Sequence, residues 1–144
     1  MSQTVVSLLV ALANALSGPA LAAPAGAPDV KVDSSRYGHI LVDGDGKTLY
    51  LFTRERGRRS RCYGDCAAAW PPYTASGAPV AGPGLNQSKL GTTTRRGGAR
   101  QVTYAGHPLY YYVNDRRPGQ ILCQNVVEFG GTWLVVSPAG RAVR

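Results

Sequence analysis

Few side chains in this sequence could carry chemistry, and they fall in two settings. The first is Cys62-x-x-x-Cys66, accompanied elsewhere by His39 and His107. Two cysteines four residues apart reach bridging distance in a turn or at the start of a helix, so a disulfide is the first expectation. In the chain-entropy view so small a loop is worth roughly 2 kcal/mol. The alternative is a metal-, heme- or redox-linked site using Cys62, Cys66 and His107. Against it, the spacing is neither the C-x-x-C of zinc fingers and disulfide exchangers nor the C-x-x-C-H of heme attachment. Cys123 is expected to be a free, partly buried thiol. The second setting pairs aromatics with an acid: Tyr50, Phe52 and Glu55, and again Tyr110, Tyr112 and Asp115. Residues two apart share one face of a strand, so each aromatic pair could floor a ligand site. The simpler reading is favoured: core aromatics followed by an acid that forms a turn by accepting backbone N–H groups. No Ser-His-Asp set, phosphate-binding glycine loop or paired catalytic carboxylates is recognisable. The chain is therefore not expected to be an enzyme or to need a cofactor.

These triplets belong to a pattern written twice. Leu49-Tyr50-Leu51-Phe52-Thr53-Arg54-Glu55 returns sixty residues later as Leu109-Tyr110-Tyr111-Tyr112-Val113-Asn114-Asp115, with Val42 and Gly46 falling on Val102 and Gly106. An internal repeat fixes the architecture before other signals do. Ile40-Leu41-Val42-Asp43 and Thr48-Leu49-Tyr50-Leu51-Phe52 predict a hairpin through Gly44-Asp45-Gly46. The second copy repeats it through Ala105-Gly106, and Trp133-Leu134-Val135-Val136 predicts a last strand. Tyr50 and Phe52 share one face, Leu49 and Leu51 the other, so these strands are buried on both sides. The expected fold is all-β, a small sandwich or barrel built from two hairpin repeats. One short helical turn is expected near 65–70, capped by Asp65 and ended by Pro71-Pro72. The stretch 62–70 has no evident counterpart in the second copy.

Residues 5–16 form a mostly apolar run of about a dozen residues, too short to span a bilayer and suited to a signal peptide. Ala20-Leu21-Ala22 offers a small-x-small cleavage site, although Met1-Ser2-Gln3-Thr4 carries no Lys or Arg. The organisation expected is a signal peptide over 1–22, a flexible linker over 23–36, one β domain over 37–138 and a tail over 139–144. Repeat one covers 37–73 and repeat two 89–138. Export to the periplasm or beyond follows, with no transmembrane span in the mature chain. The net charge is +8, with thirteen Arg against three Lys. Arginines cluster at 54–61, at Arg95-Arg96 and at Arg116-Arg117. A solvated basic surface is the favoured reading, and an anionic surface or polymer is the alternative partner. Nucleic acid is not favoured.

Several linked stretches carry a family resemblance: Gly38-x-Ile-Leu-Val-Asp43, Thr48-Leu-Tyr50-x-Phe52, Cys62-Tyr-Gly-x-Cys66-Ala, Trp70-Pro-Pro72 and Gln101-Val-Thr-Tyr104-x-Gly106-x-Pro-Leu-Tyr110. Over residues 37–138 the chain resembles bacterial predicted lipoproteins with a Yx(FWY)xxD motif, also described as a secreted repeat of unknown function. The resemblance implies an exported envelope protein and brings no catalytic residues. The chain departs from the pattern at Glu55, which stands where the motif has Asp, and it has no lipid-attachment cysteine. The resulting expectation is a non-enzymatic binding or structural β module of the cell envelope, its partner an unknown envelope component. A metal-, heme- or redox-linked protein and a basic polyanion binder are the rivals.

Overall fold

Each copy of the repeat opens with a β-hairpin. In the computed structural model, which describes Gly18 and residues 29–144, β1 (Val30–Ser35) pairs antiparallel with β2 (Gly38–Asp43). In the second copy β4 (Leu90–Thr94) pairs with β5 (Arg100–Tyr104) in the same way. The signal peptide and the first part of the expected linker lie outside the described residues. The end of that linker is corrected: residues 30–35 are strand. The Val30-x-Val32 alternation places Val30 in the core, and β2 supplies the ladder.

The motif strands meet at the centre. β3 (Tyr50–Phe52) lies antiparallel to the second copy's Tyr110, with Tyr50 N donating to Tyr110 O (2.8 Å) and Tyr110 N to Tyr50 O (2.9 Å). The outer edge of each motif strand is completed by the other copy. β8 (Gly131–Val135) pairs with β3, setting Tyr50 opposite Val135 and Phe52 opposite Trp133. Residues 71–73 do the same for the second motif, with Tyr111 N donating to Pro71 O (2.8 Å) and Tyr73 N to Leu109 O (2.9 Å). A pseudo-two-fold axis therefore passes between Tyr50 and Tyr110. The second motif strand is shorter than expected: β6 (His107–Pro108) pairs with β5, and Tyr110 forms bridges only. β7 (Val126–Glu128), which the sequence did not announce, pairs with β8. The expected tail folds back, Ser137 N donating to Arg141 O (2.8 Å) and Val143 N to Val135 O (2.9 Å).

The fold is all-β with one short α-helix among the described residues, and the central motif strands bury both faces. Tyr50, Phe52, Tyr110, Trp70 and Trp133 face one core; Leu49, Leu51, Leu109 and Leu134 face the other. One register differs from the sequence alignment of the copies. Leu49 N donates to Leu41 O (3.1 Å), whereas Leu109 N donates to Val102 O (2.9 Å). Leu41, not Val42, is thus the counterpart of Val102. A one-residue shift moves a side chain to the opposite face, and Val42 accordingly lies in the aromatic core. The turns absorb the shift. Ala105 (φ 48°) and Gly106 (φ 79°) make a two-residue turn of the type that needs positive φ at both positions. The first copy spends three residues, with Asp43 N donating to Lys47 O (2.8 Å).

The predicted helical turn is α1 (Asp65–Ala69). Its N-cap is Gly64 rather than Asp65, at φ 58°, where a side chain would be strained. Asp65 sits in the first turn, where a carboxylate favours the helix dipole. The stretch 62–70 does have a counterpart. Val113 N donates to Ala69 O and Thr53 N to Thr132 O, each at 3.0 Å, so Trp70 answers to Trp133, and β7 stands where the first copy has α1.

Candidate functional site

The repeated motif assembles as an exchange between copies. Tyr50 Oη donates to Asp115 Oδ2 (2.5 Å), and Tyr110 Oη donates to Glu55 Oε2 (2.6 Å). Both acids also accept backbone N–H groups, Asp115 Oδ1 from Leu122 (3.0 Å) and Glu55 Oε2 from Arg61 (2.6 Å). Each acid thus ties down a residue six or seven places on rather than its own turn, where the Arg116 and Arg117 N–H groups go to Gln120 Oε1, and each is also clasped by the tyrosine of the other copy. Burial pushes the Asp115 and Glu55 carboxyls up, and their hydrogen bonds and the nearby Lys47 and Arg95 charges bring them only part of the way back. Glu55 Oε1 has no hydrogen-bond partner among the described residues. Burial and the adjacent carboxylates push the Tyr50 and Tyr110 phenols far up as well. These phenols stay neutral and donate; they hold the fold across the axis.

Phe52 and Tyr112 extend the same arrangement. Phe52, Trp133 and Trp70 stack in sequence at 4.1 Å between centroids, and Tyr112 closes the column at 4.8 Å from Trp70. Tyr50 meets Trp70 edge-on at 5.2 Å and Tyr110 meets Trp133 edge-on at 5.1 Å, as the pseudo-symmetry requires. Five of the six motif residues are therefore buried, and Tyr112, partly exposed, ends the column.

Cys62 and Cys66 are joined, with Cα atoms 5.3 Å apart. Their sulfurs are thus not thiolate ligands in this structure, and among the described residues no group of three His, Cys, Asp or Glu side chains converges on a metal position. His107 lies in β6, its imidazole pushed down by burial. His39 stands on exposed β2 backbone near Ser34, with Nδ1 3.4 Å from Ser34 Oγ. Cys123 is a free, half-buried thiol and the pseudo-symmetric counterpart of Cys62: each follows directly on the residue whose N–H holds the motif acid.

The open feature is a cleft the sequence did not announce. Two arginine clusters about thirty-five residues apart converge around a space of about 590 Å³ lined by Arg54, Arg59, Arg61, Arg95, Arg96 and Tyr63, with Ser60 and Thr94. No acidic side chain lines it among the described residues. Arg95 is buried, which is rare for arginine. Its Nη1 donates to Ser60 Oγ (2.6 Å) and Gln101 Oε1 (2.8 Å), and its Nη2 to Cys62 O (2.5 Å), all neutral acceptors. The Arg95 and Arg96 guanidinium carbons lie 4.3 and 3.9 Å from the Tyr63 ring centroid. Burial pushes the Tyr63 phenol up, but the Arg96 amide and the Arg95 charge outweigh it, so the phenol is held below its ordinary 10.0. Arg116 and Arg117, the third cluster, lie elsewhere; their N–H groups bond Gln120 Oε1.

The pseudo-two-fold axis gives this cleft a mate of about 360 Å³, lined by Ser34, Ser35, Arg36, Gln120, Ile121 and Leu122 among others. Arg61 and Leu122 are equivalent, each giving its N–H to a motif acid. One frame therefore carries a strongly basic cleft in one half and, in the other, a cleft of mixed lining in which Asp33 accompanies the single Arg36.

Residues 31–74 and 91–137 match a family described as a secreted repeat of unknown function. The two matches are the two halves of the pseudo-symmetric fold, and the chain belongs to this family. No curated protein and no solved structure matches the chain. The family's secreted character agrees with a disulfide at Cys62–Cys66, a bond that persists in oxidising compartments. Among the described residues no helix is long and apolar enough to cross a membrane.

Proposed function

We propose that this is an exported, non-enzymatic binding module of the cell envelope, and that the arginine cleft is its binding face for an anionic partner. One observation carries the reading. The mate cleft builds the same frame with Gln120 and Leu122 where the basic cleft has Arg59 and Arg61, so the fold does not require those charges. Like charges gathered in one cleft repel, and their presence without a structural need is explained by a ligand of opposite charge. Tyr50, Tyr110, Glu55 and Asp115 are engaged in bonds across the axis, which leaves them a structural part. No cofactor enters this reading.

The test transplants the mate residues into the cleft as Arg59→Gln/Arg61→Leu, with Arg116→Gln/Arg117→Gln as a charge-matched control. The first should keep the fold and lose calorimetrically measured binding to anionic polymers at low salt. The control should bind nearly as well as the parent. Equal losses in both variants, or no binding by the parent protein, would overturn the reading.

A further inference from the structure

Resting on that cleft as the binding face, we infer that its ligand is a phosphate polymer read through its phosphate groups, rather than a carboxylate polysaccharide or a nucleic acid. Three observations favour it.

The first is charge density. Five arginines surround about 590 Å³, and the buried one, Arg95, donates its hydrogen bonds to neutral acceptors. A polyuronate brings one carboxylate per sugar ring, so neutral sugar would fill most of the space. Linked phosphates fill the same space with charge and with oxygens suited to guanidinium forks.

The second is the aromatic surface. Sugars and nucleobases are held by stacking on free aromatic faces. Tyr63 is the aromatic side chain of this cleft, and its ring is already covered by Arg95 and Arg96. A ligand without rings loses nothing by that arrangement.

The third is preorganisation. The Arg95 guanidinium is fixed by Ser60, Gln101 and the Cys62 carbonyl, and Arg96 has its backbone N–H on Tyr63 Oη (3.1 Å) and its guanidinium carbon 3.9 Å from the Tyr63 ring centroid. Charges held in place lose little side-chain freedom on binding. Arg59 and Arg61 are exposed at the rim and are free to close on a chain.

The experiment titrates the folded protein with tripolyphosphate, a glycerol-phosphate polymer, polygalacturonate and a single-stranded oligonucleotide, at equal charge concentration and low salt. Either phosphate ligand should bind at least tenfold more tightly than polygalacturonate. The stronger of the two tells a polyphosphate source from a phosphodiester one. Arg96→Gln should weaken that binding severalfold, and bound phosphate should raise the pH at which Tyr63 ionises, read by phenolate absorbance. Polygalacturonate binding as tightly as the phosphates, or the oligonucleotide binding more tightly than the glycerol-phosphate polymer, would overturn the inference. The cleft reading would survive either result if Arg59→Gln/Arg61→Leu abolished that binding. Binding to none of the four would overturn both.

Discussion

Tyr50 of the first copy gives its phenolic proton to Asp115 of the second, 2.5 Å away, while Tyr110 of the second gives its own to Glu55 of the first. The motif is thus a pair of reciprocal clasps, and neither copy contains a complete one. Tyr50→Phe removes the donor and leaves a buried carboxyl with one bond fewer. A lost hydrogen bond to a buried acid costs about 1–3 kcal/mol. Urea unfolding of Tyr50→Phe, Asp115→Asn and the double variant should show the double costing less than the sum of the singles. Strict additivity would mean that the two groups do not cooperate in the fold.

The same acids set a pH dependence. Burial first, with hydrogen bonds opposing it, leaves the Glu55 and Asp115 carboxyls above their ordinary 4.5 and 3.8. The folded chain then keeps these protons to higher pH than the unfolded chain does. Their contribution is fully present below 3.8 and 4.5 and is lost as pH rises through the raised folded-state values. Relative to Glu55→Gln/Asp115→Asn, the parent protein should lose stability between pH 4 and neutrality. A stability difference constant over that range would refute the assignment.

Much of the fold was legible because the strand period is two. Tyr50 and Phe52 against Leu49 and Leu51 announced two buried faces, and both exist. What the sequence hid lies between copies. A repeat reads as two self-contained units, whereas β3 finds its ladder partner in β8 and the second motif finds one at residues 71–73. The counterpart of 62–70 was hidden because the spacing between equivalent residues drifts, from sixty at Tyr50 and Tyr110 to sixty-three at Trp70 and Trp133. β1 was hidden by the Ala- and Pro-rich residues before it. The cleft escaped for a related reason: Arg59 and Arg61 meet Arg95 and Arg96 only because the β4–β5 turn folds onto the disulfide loop. The one local clue was Cys62-x-x-x-Cys66, which marks that loop as fixed.

The aromatic column offers a spectroscopic check. The chain has two tryptophans, and both are in the stack, their planes 3° from parallel at 4.1 Å. Two such indoles should give a far-ultraviolet exciton couplet in circular dichroism. Trp133→Phe should abolish the couplet while keeping a stacked ring between Phe52 and Trp70. Trp70→Ala leaves a large void and the Glu128 carboxylate without its Nε1–H donor, and should cost about 3–5 kcal/mol. A couplet that persists in either single variant would contradict the stacked pair.

The disulfide joins this core to the cleft. Cys62 packs in the aromatic core, its carbonyl holds Arg95, and Tyr63 follows it directly under the two guanidinium groups. Bridging Cys66 closes a loop of four-residue separation, worth about 2 kcal/mol through restriction of the unfolded chain. Cys62→Ser/Cys66→Ser should therefore lower the unfolding free energy by about that amount. It should also weaken binding at the cleft, because Arg95 and Tyr63 lose a fixed support. The mate half sets the scale: Cys123 holds the equivalent place as a free thiol, so the frame tolerates an unbridged cysteine there. The loss in affinity should then exceed what the modest loss of stability alone would bring at a temperature where both proteins are fully folded. Unchanged anion affinity in the unbridged variant under those conditions would separate the disulfide from the cleft and leave it a purely local brace.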